Sequence, residues 1–415
     1  MQKRTNRIQL LGLLFLMTIA STAQNSVNSP YTRYGYGEIA NHSFGAGRSM
    51  GGIGIGLRSS NQINPMNPAS YSNMDSMTFL FDFGASFQFS KFKEGTNKQT
   101  DMNGNVDYIA MQFPIFKRVA FSAGLLPYSH VGYKFGEVKT SPDGQRYTES
   151  FQGAGGLNQL YGGLSIEIWK KRLSIGSNIN YVFGTINQSA RIDYLSDATT
   201  SVIRSKSTEL KDVLFDFGLQ FVQPVSKTDQ FVVGLTYTPK KQFKNKRFTQ
   251  EQNGSEIVSS DTTTNLAHET PLGYGFGISY TKANKFIAAL DFSFQEWSKV
   301  AFDGKMNEFN NRSRIAAGFE LIPNLYSRPY INRIRYRAGL NYTNSYIKVN
   351  SNGYKEFGAT LGAGFPISDA RSFVNFSVEY VKIVPDIKTM INEDYFRMTL
   401  SFTFNEYWFF KRRVD

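Results

Sequence analysis

The segment Tyr395-Phe396-Arg397-Met398-Thr399-Leu400-Ser401-Phe402-Thr403-Phe404 alternates with a period of two. Phe396, Met398, Leu400, Phe402 and Phe404 share one face, and Arg397, Thr399, Ser401 and Thr403 share the other. Successive side chains of a strand point to opposite sides, so the segment predicts a strand that is apolar on one side and polar on the other. One such strand would fit any half-buried sheet. The same rhythm, however, runs back to Thr78, where Phe79, Phe81, Phe83, Phe87 and Phe89 oppose Asp82, Ser86 and Gln88.

Turn residues divide this rhythm into about fourteen strands, an estimate from alternation and turn chemistry alone. Short turns such as Pro114–Arg118, Trp169–Arg172 and Lys282–Asn284 alternate with long polar segments such as 94–105 and 128–153. Membrane barrels alternate periplasmic turns and extracellular loops in this way, and an even strand count leaves both chain ends in the periplasm. A soluble sandwich would not need a polar face on nearly every strand. The expected fold is therefore all-β, a 14-stranded antiparallel transmembrane β-barrel. Trp169 and Trp408 are expected at the periplasmic rim and Trp297 at the outer rim, as interfacial anchors. The long segment from Tyr128 to Gly153 reads as a lid, a structural cap or a docking loop.

Composition agrees with an exported barrel. Lys3, Arg4 and Arg7, a short apolar run from Leu10 to Ala20, and Ser21-Thr22-Ala23 form a signal peptide over residues 1–23. The 415 residues include no Cys, which excludes a lipid anchor, disulfides and thiolate metal sites. Mean hydropathy is only −0.34, because in a barrel every second residue alone faces lipid. There are 36 Phe and 23 Tyr. The formal charge of +13 is scattered rather than gathered in a stripe, so no nucleic-acid partner is expected.

Catalysis has little support. His42, His130 and His268 are the three histidines, and none falls on an expected strand, whereas a barrel hydrolase needs Ser and His within hydrogen-bond reach. No catalytic residue, metal site or cofactor is assigned. The inward faces carry charges, with Asp82, Asp216, Asp291, Glu320 and Glu379 against Arg314, Arg335, Arg337 and Arg397. Asp82, Glu379, Arg397 and Arg337 are the lumen candidates, serving either as structural pairs or as a site for a substrate headgroup. Closure of the sheet would set Arg397 beside Asp82 or Glu379. Inward glycines Gly273, Gly275, Gly277, Gly358, Gly362 and Gly364 suggest that something packs against the wall. Lys240, Lys241, Lys244, Lys246 and Arg247 could collect anionic ligands or bind lipopolysaccharide phosphates.

Residues 24–77 precede the first strand and contain a glycine run, Gly45 to Gly56, followed by Asn67-Pro68-Ala69. A segment of this size and composition suits a hatch inside the lumen, leaving residues 78–404 for the barrel and 405–415 for a periplasmic tail. A Gly-rich hatch containing Asn-Pro-Ala that leads into fourteen strands resembles the FadL-like long-chain fatty-acid transport porins. Phe319–Pro323, Tyr336–Leu340 and Trp408–Lys411 resemble the branch of that family found in bacteria with type IX secretion. The resemblance implies an outer-membrane channel for fatty acids or other hydrophobic small molecules. Ligand would be captured by extracellular loops and passed by way of a hatch-side pocket and a gap in the wall. The alternative is a FadL-like barrel that scaffolds or shuttles a protein partner in secretion or envelope assembly. Expected partners are outer-membrane lipids and lipopolysaccharide, a hydrophobic ligand and, on the second reading, a secreted or periplasmic protein.

Overall fold

The computed structural model describes residues 27–407 except 170, 195–200, 284, 325 and 368–370. The signal peptide and Trp408 lie outside the described residues. Fourteen spanning strands follow in chain order: β1 (Thr78–Glu94), β2 (Asn97–Phe116), β3 (Val119–Thr140), β4 (Arg146–Trp169), β5 (Leu173–Tyr194), β6 (Val202–Pro224) and β7 (Gln230–Thr238). The second half comprises β8 (Gly273–Lys282), β9 (Phe286–Gln295), β10 (Arg312–Leu321), β11 (Arg335–Asn344), β12 (Tyr354–Ile367), β13 (Ser372–Pro385) and β14 (Asn392–Tyr407). Each pairs antiparallel with its neighbour, and β14 closes on β1 from Asn392↔Lys93 to Tyr407↔Thr78. Closure removes every exposed sheet edge within the bilayer, where an unsatisfied amide has no water to turn to.

Alternation decides which side of each strand meets lipid. Phe87, Phe217, Leu235, Phe276, Phe292 and Leu400 are all more than a third exposed on the outer surface. The intervening residues Asp82, Ser86, Gln220, Asp291, Glu320 and Ser401 are buried inside. Among the described residues no helix is long and apolar enough to cross a membrane; the strands make the crossing.

Two sequence expectations change. Segments 94–105 and 128–153 are not loops: β1–β2 and β3–β4 continue outward as hairpins turning at 95–96 and 141–145. Beyond the bilayer neither face meets lipid, so the period-two signal fades while the backbone ladder continues. His130 accordingly lies on β3, opposite Glu38. Trp297 is not an interfacial anchor: it is fully buried and stacks on Tyr346 with ring centroids 4.2 Å apart. Trp169, by contrast, is half exposed at the periplasmic end of β4.

Candidate functional site

Residues 27–77 fill the barrel. Within them α1 (Gly45–Ser49) is a single turn, and Pro68–Asn73 forms a 3-10 helix. Asn67 begins that helix from extended backbone, its side chain accepting the amide of Ala69 at 3.1 Å. Pro68 then occupies the first helical position, where its missing N–H costs nothing. The Asn67 amide donates to the carbonyl of Ile55 at 2.9 Å, tying the two halves of the hatch together. Asn-Pro-Ala is thus a corner piece of the hatch.

The wall receives the hatch on glycine. A Cβ on Gly218 would lie 2.2 Å from Asn67 Oδ1, and one on Gly176 would lie 2.5 Å from the Pro68 carbonyl carbon. On Gly234 it would sit 2.0 Å from the Ile55 oxygen, and on Gly339 2.2 Å from the Gly51 amide. Of the glycines singled out from sequence, Gly275, Gly277 and Gly362 do face the hatch, through Ile55, Gly56 and Ser49. Gly273, Gly358 and Gly364 instead face wall side chains, Thr238, Asn341 and Arg337. Gly176, Gly218, Gly234 and Gly339 are further hatch seats, each at an inward position of its strand, where alternation is the signal that marks them.

Polar side chains fasten what the glycines admit. The Asp291 carboxylate accepts the amides of Gly54, Ile55 and Gly56 at 2.6, 2.7 and 3.2 Å. Gln220 donates to the Leu57 carbonyl at 2.9 Å, and Asn178 to the Pro65 carbonyl at 3.2 Å. Thr360 receives the Gly51 amide at 2.8 Å and donates to the Ser49 carbonyl at 3.0 Å. Buried polar groups left unmatched are expensive, so this network holds the hatch to one seat.

The lumen candidates separate into distinct roles. Arg397 donates to Gln88 at 2.6 Å, to Glu379 at 3.2 Å and to Glu38 of the hatch at 3.4 Å. Asp82 does not join it; it accepts from Tyr108 and Thr403, each at 3.0 Å. Arg337 pairs with Glu320 at 2.6 Å and donates to Asn375 at 2.7 Å. Between hatch and wall remains a polar cavity of about 90 Å³ lined in part by Glu38, Arg48, Asp107, Arg314, Glu379 and Arg397. Above it Tyr36, Phe243, Trp297, Phe302, Phe309 and Tyr346 pack into an aromatic roof.

The wall itself diverges at one seam. The β2–β3 ladder ends at Ile109↔Leu125 although both strands continue outward. The N-terminal segment occupies the divergence: Glu38 and Ile39 pair with His130 and Ser129 on β3, and the Ser29 amide donates to the Gly132 carbonyl at 2.8 Å. The basic residues near the end of β7 are dispersed. Lys240 meets Glu269 at 2.7 Å, Lys241 lies 3.9 Å from Asp212, and Arg247 pairs with Asp303. Lys244 and Lys246 are exposed. Among the described residues no group of three or more His, Cys, Asp or Glu side chains could hold a metal ion.

A closed fourteen-stranded barrel with an internal N-terminal hatch, turned apolar side outward, is an outer-membrane protein of the FadL-like fold. The same fold is seen in the Ralstonia pickettii toluene transporter TbuX, at 14% identity over 88% of this chain and 98% of that one, with a TM-score of 0.59. The P. putida toluene transporter TodX gives 13%, 89%, 99% and 0.60, and a Pseudomonas aeruginosa FadL homologue gives 13%, 89%, 99% and 0.57. The chain belongs to the BamG family, whose model matches residues 1–415. No curated protein matches it.

Proposed function

We propose that this protein works as a sealed barrel, acting as a scaffold or shuttle for a protein partner in secretion or envelope assembly. One observation carries the reading: two cavities between hatch and wall are both small, the charged one of about 90 Å³ and another of about 40 Å³ beside Phe44, Leu57, Glu320 and Arg335. A pocket for a drug-sized or fatty ligand is several hundred Å³ and mostly apolar. Long ordered hairpins such as β3–β4 add the surface that a protein partner needs. The resemblance of Phe319–Pro323 and Tyr336–Leu340 to barrels of type IX secreting bacteria agrees with this reading.

A second reading, passive uptake of long-chain fatty acids or other hydrophobic molecules, is favoured by the β2–β3 divergence and by the fold shared with toluene transporters. It requires the segment 28–40 to leave the seam. Native-gel migration of mildly solubilised outer membranes discriminates the two. The scaffold reading expects a heteromeric assembly of fixed size and uptake of labelled oleate and toluene equal to that of a deletion strain. A monomer that restores uptake would overturn it.

A further inference from the structure

The outer wall carries a groove that neither reading of the lumen uses. It lies on the lipid side of β3–β9, encloses about 1060 Å³, and is lined by Leu164, Ile175, Phe217, Leu235, Phe276 and their neighbours. Its origin lies in the register. One outward row runs Phe121↔Leu164↔Ser177↔Phe217↔Tyr237↔Tyr274 across six strands. Ser177 is the small member of that row, between Leu164 and Phe217, so the row is notched there. The floor of the notch is the backbone of Gly176, Gly218 and Gly275, whose inner sides carry Pro68, Asn67 and Ile55. The same glycines seat the hatch on their inner side, while the small Ser177 leaves the outer side shallow.

The groove ends at the periplasmic rim, and the rim there is cationic. Val119 and Ile166 line its end. Lys117 and Arg118 immediately precede Val119, and Lys171 and Arg172 form the turn between β4 and β5. Lys117, Arg118 and Lys171 are exposed, and Arg172 stacks 5.1 Å above the half-exposed Trp169 ring. The carboxylate nearest in sequence, Glu167, alternates to the inner side with Ser165, while Ile166 faces lipid. An apolar slot ending beneath a ring of cations and an interfacial Trp matches acyl chains below a phosphate.

We infer that this groove is a binding site for one phospholipid of the periplasmic leaflet, its acyl chains on the Ser177 notch and its phosphate on Lys117, Arg118, Lys171 and Arg172. The inference stands apart from the role of the lumen. Native mass spectrometry of the full chain in mild detergent, reloaded with phosphatidylglycerol, phosphatidylethanolamine or lipid A, tests it. The expected result is a single retained phospholipid that is lost in Ser177→Trp and weakened when Lys117, Arg118, Lys171 and Arg172 are all changed to Gln. Heat-modifiable migration reports that each variant is folded, and the Gln variant remains informative if Ser177→Trp does not assemble. Retention indifferent to both variants, preference for lipid A, or protection of the groove by a polypeptide would each overturn the assignment.

Discussion

Asp291, on the inner face of β9, holds the Gly54 amide of the hatch at 2.6 Å while it is itself almost wholly buried. Two further amides, from Ile55 and Gly56, converge on the same carboxylate. Such charge-assisted bonds are the strong ones, and a hatch amide left without its acceptor has no solvent to replace it. Asp291→Ala is expected to loosen the hatch by about 3 kcal/mol. Limited proteolysis from the periplasmic side reads this as cleavage within residues 45–60 of a barrel that still shifts on heating. A hatch as resistant as that of the parent would refute the clamp.

The glycine seats predict a graded series. Gly218→Ala and Gly234→Ala place a methyl within 2.2 Å of Asn67 and 2.0 Å of Ile55, and should cost about 1–3 kcal/mol through overpacking. Gly162→Ala is the control, because its Cβ meets only the Phe121 ring, at 3.9 Å and beyond. Unfolding midpoints in micelles should fall for the first two and stay unchanged for the third.

At the closing seam Arg397 joins Gln88 of β1 to Glu379 of β13. Arg397→Met leaves Glu379 and Glu38 without their shared cation. The side chain is about a fifth exposed, so water softens the loss, and a cost of about 2–4 kcal/mol is expected. Restoring much of it with Glu379→Gln in the Arg397→Met background would show that the stranded charge, rather than lost packing, is responsible.

Extracellular packing around His268 should weaken in acid. Nε2 of His268 lies 2.7 Å from Asp303, a contact that alone would favour protonation. Arg247 and Lys206 already share that carboxylate, however, and burial, followed by the Arg247 charge, holds the imidazole down at about 4. Its ordinary value is 6.5, so between those limits the unfolded segment binds more protons than the folded one. The stabilisation is complete above pH 6.5 and is lost as pH falls towards 4. Hydrogen exchange across residues 240–310 should accelerate over that window, and His268→Gln should flatten the dependence.

Much of the barrel was legible because lipid outside and polar contents inside impose opposite demands on neighbouring residues. Phe396 to Phe404 show this in nine positions. Where the demand lapses, the reading lapsed with it. The hairpin arms 128–140 and 146–153 carry no lipid face, so their sequence has the polarity of a loop. Trp297 carries the composition of an interfacial anchor but is buried by rings from Tyr36 and Tyr346, distant in the chain.

Local alternation by itself determined most of the strands and their outward faces, since each rests on residues within one strand's length of one another. Only the tertiary structure decided that Arg397 meets Glu379 rather than Asp82, that Asp291 holds Gly54, and that segment 28–40 fills the β2–β3 seam. Asp291 and Gly54 lie 237 residues apart in the chain, and Arg397 and Glu38 lie 359 apart. Barrel closure and register, not periodicity, bring them within hydrogen-bond reach.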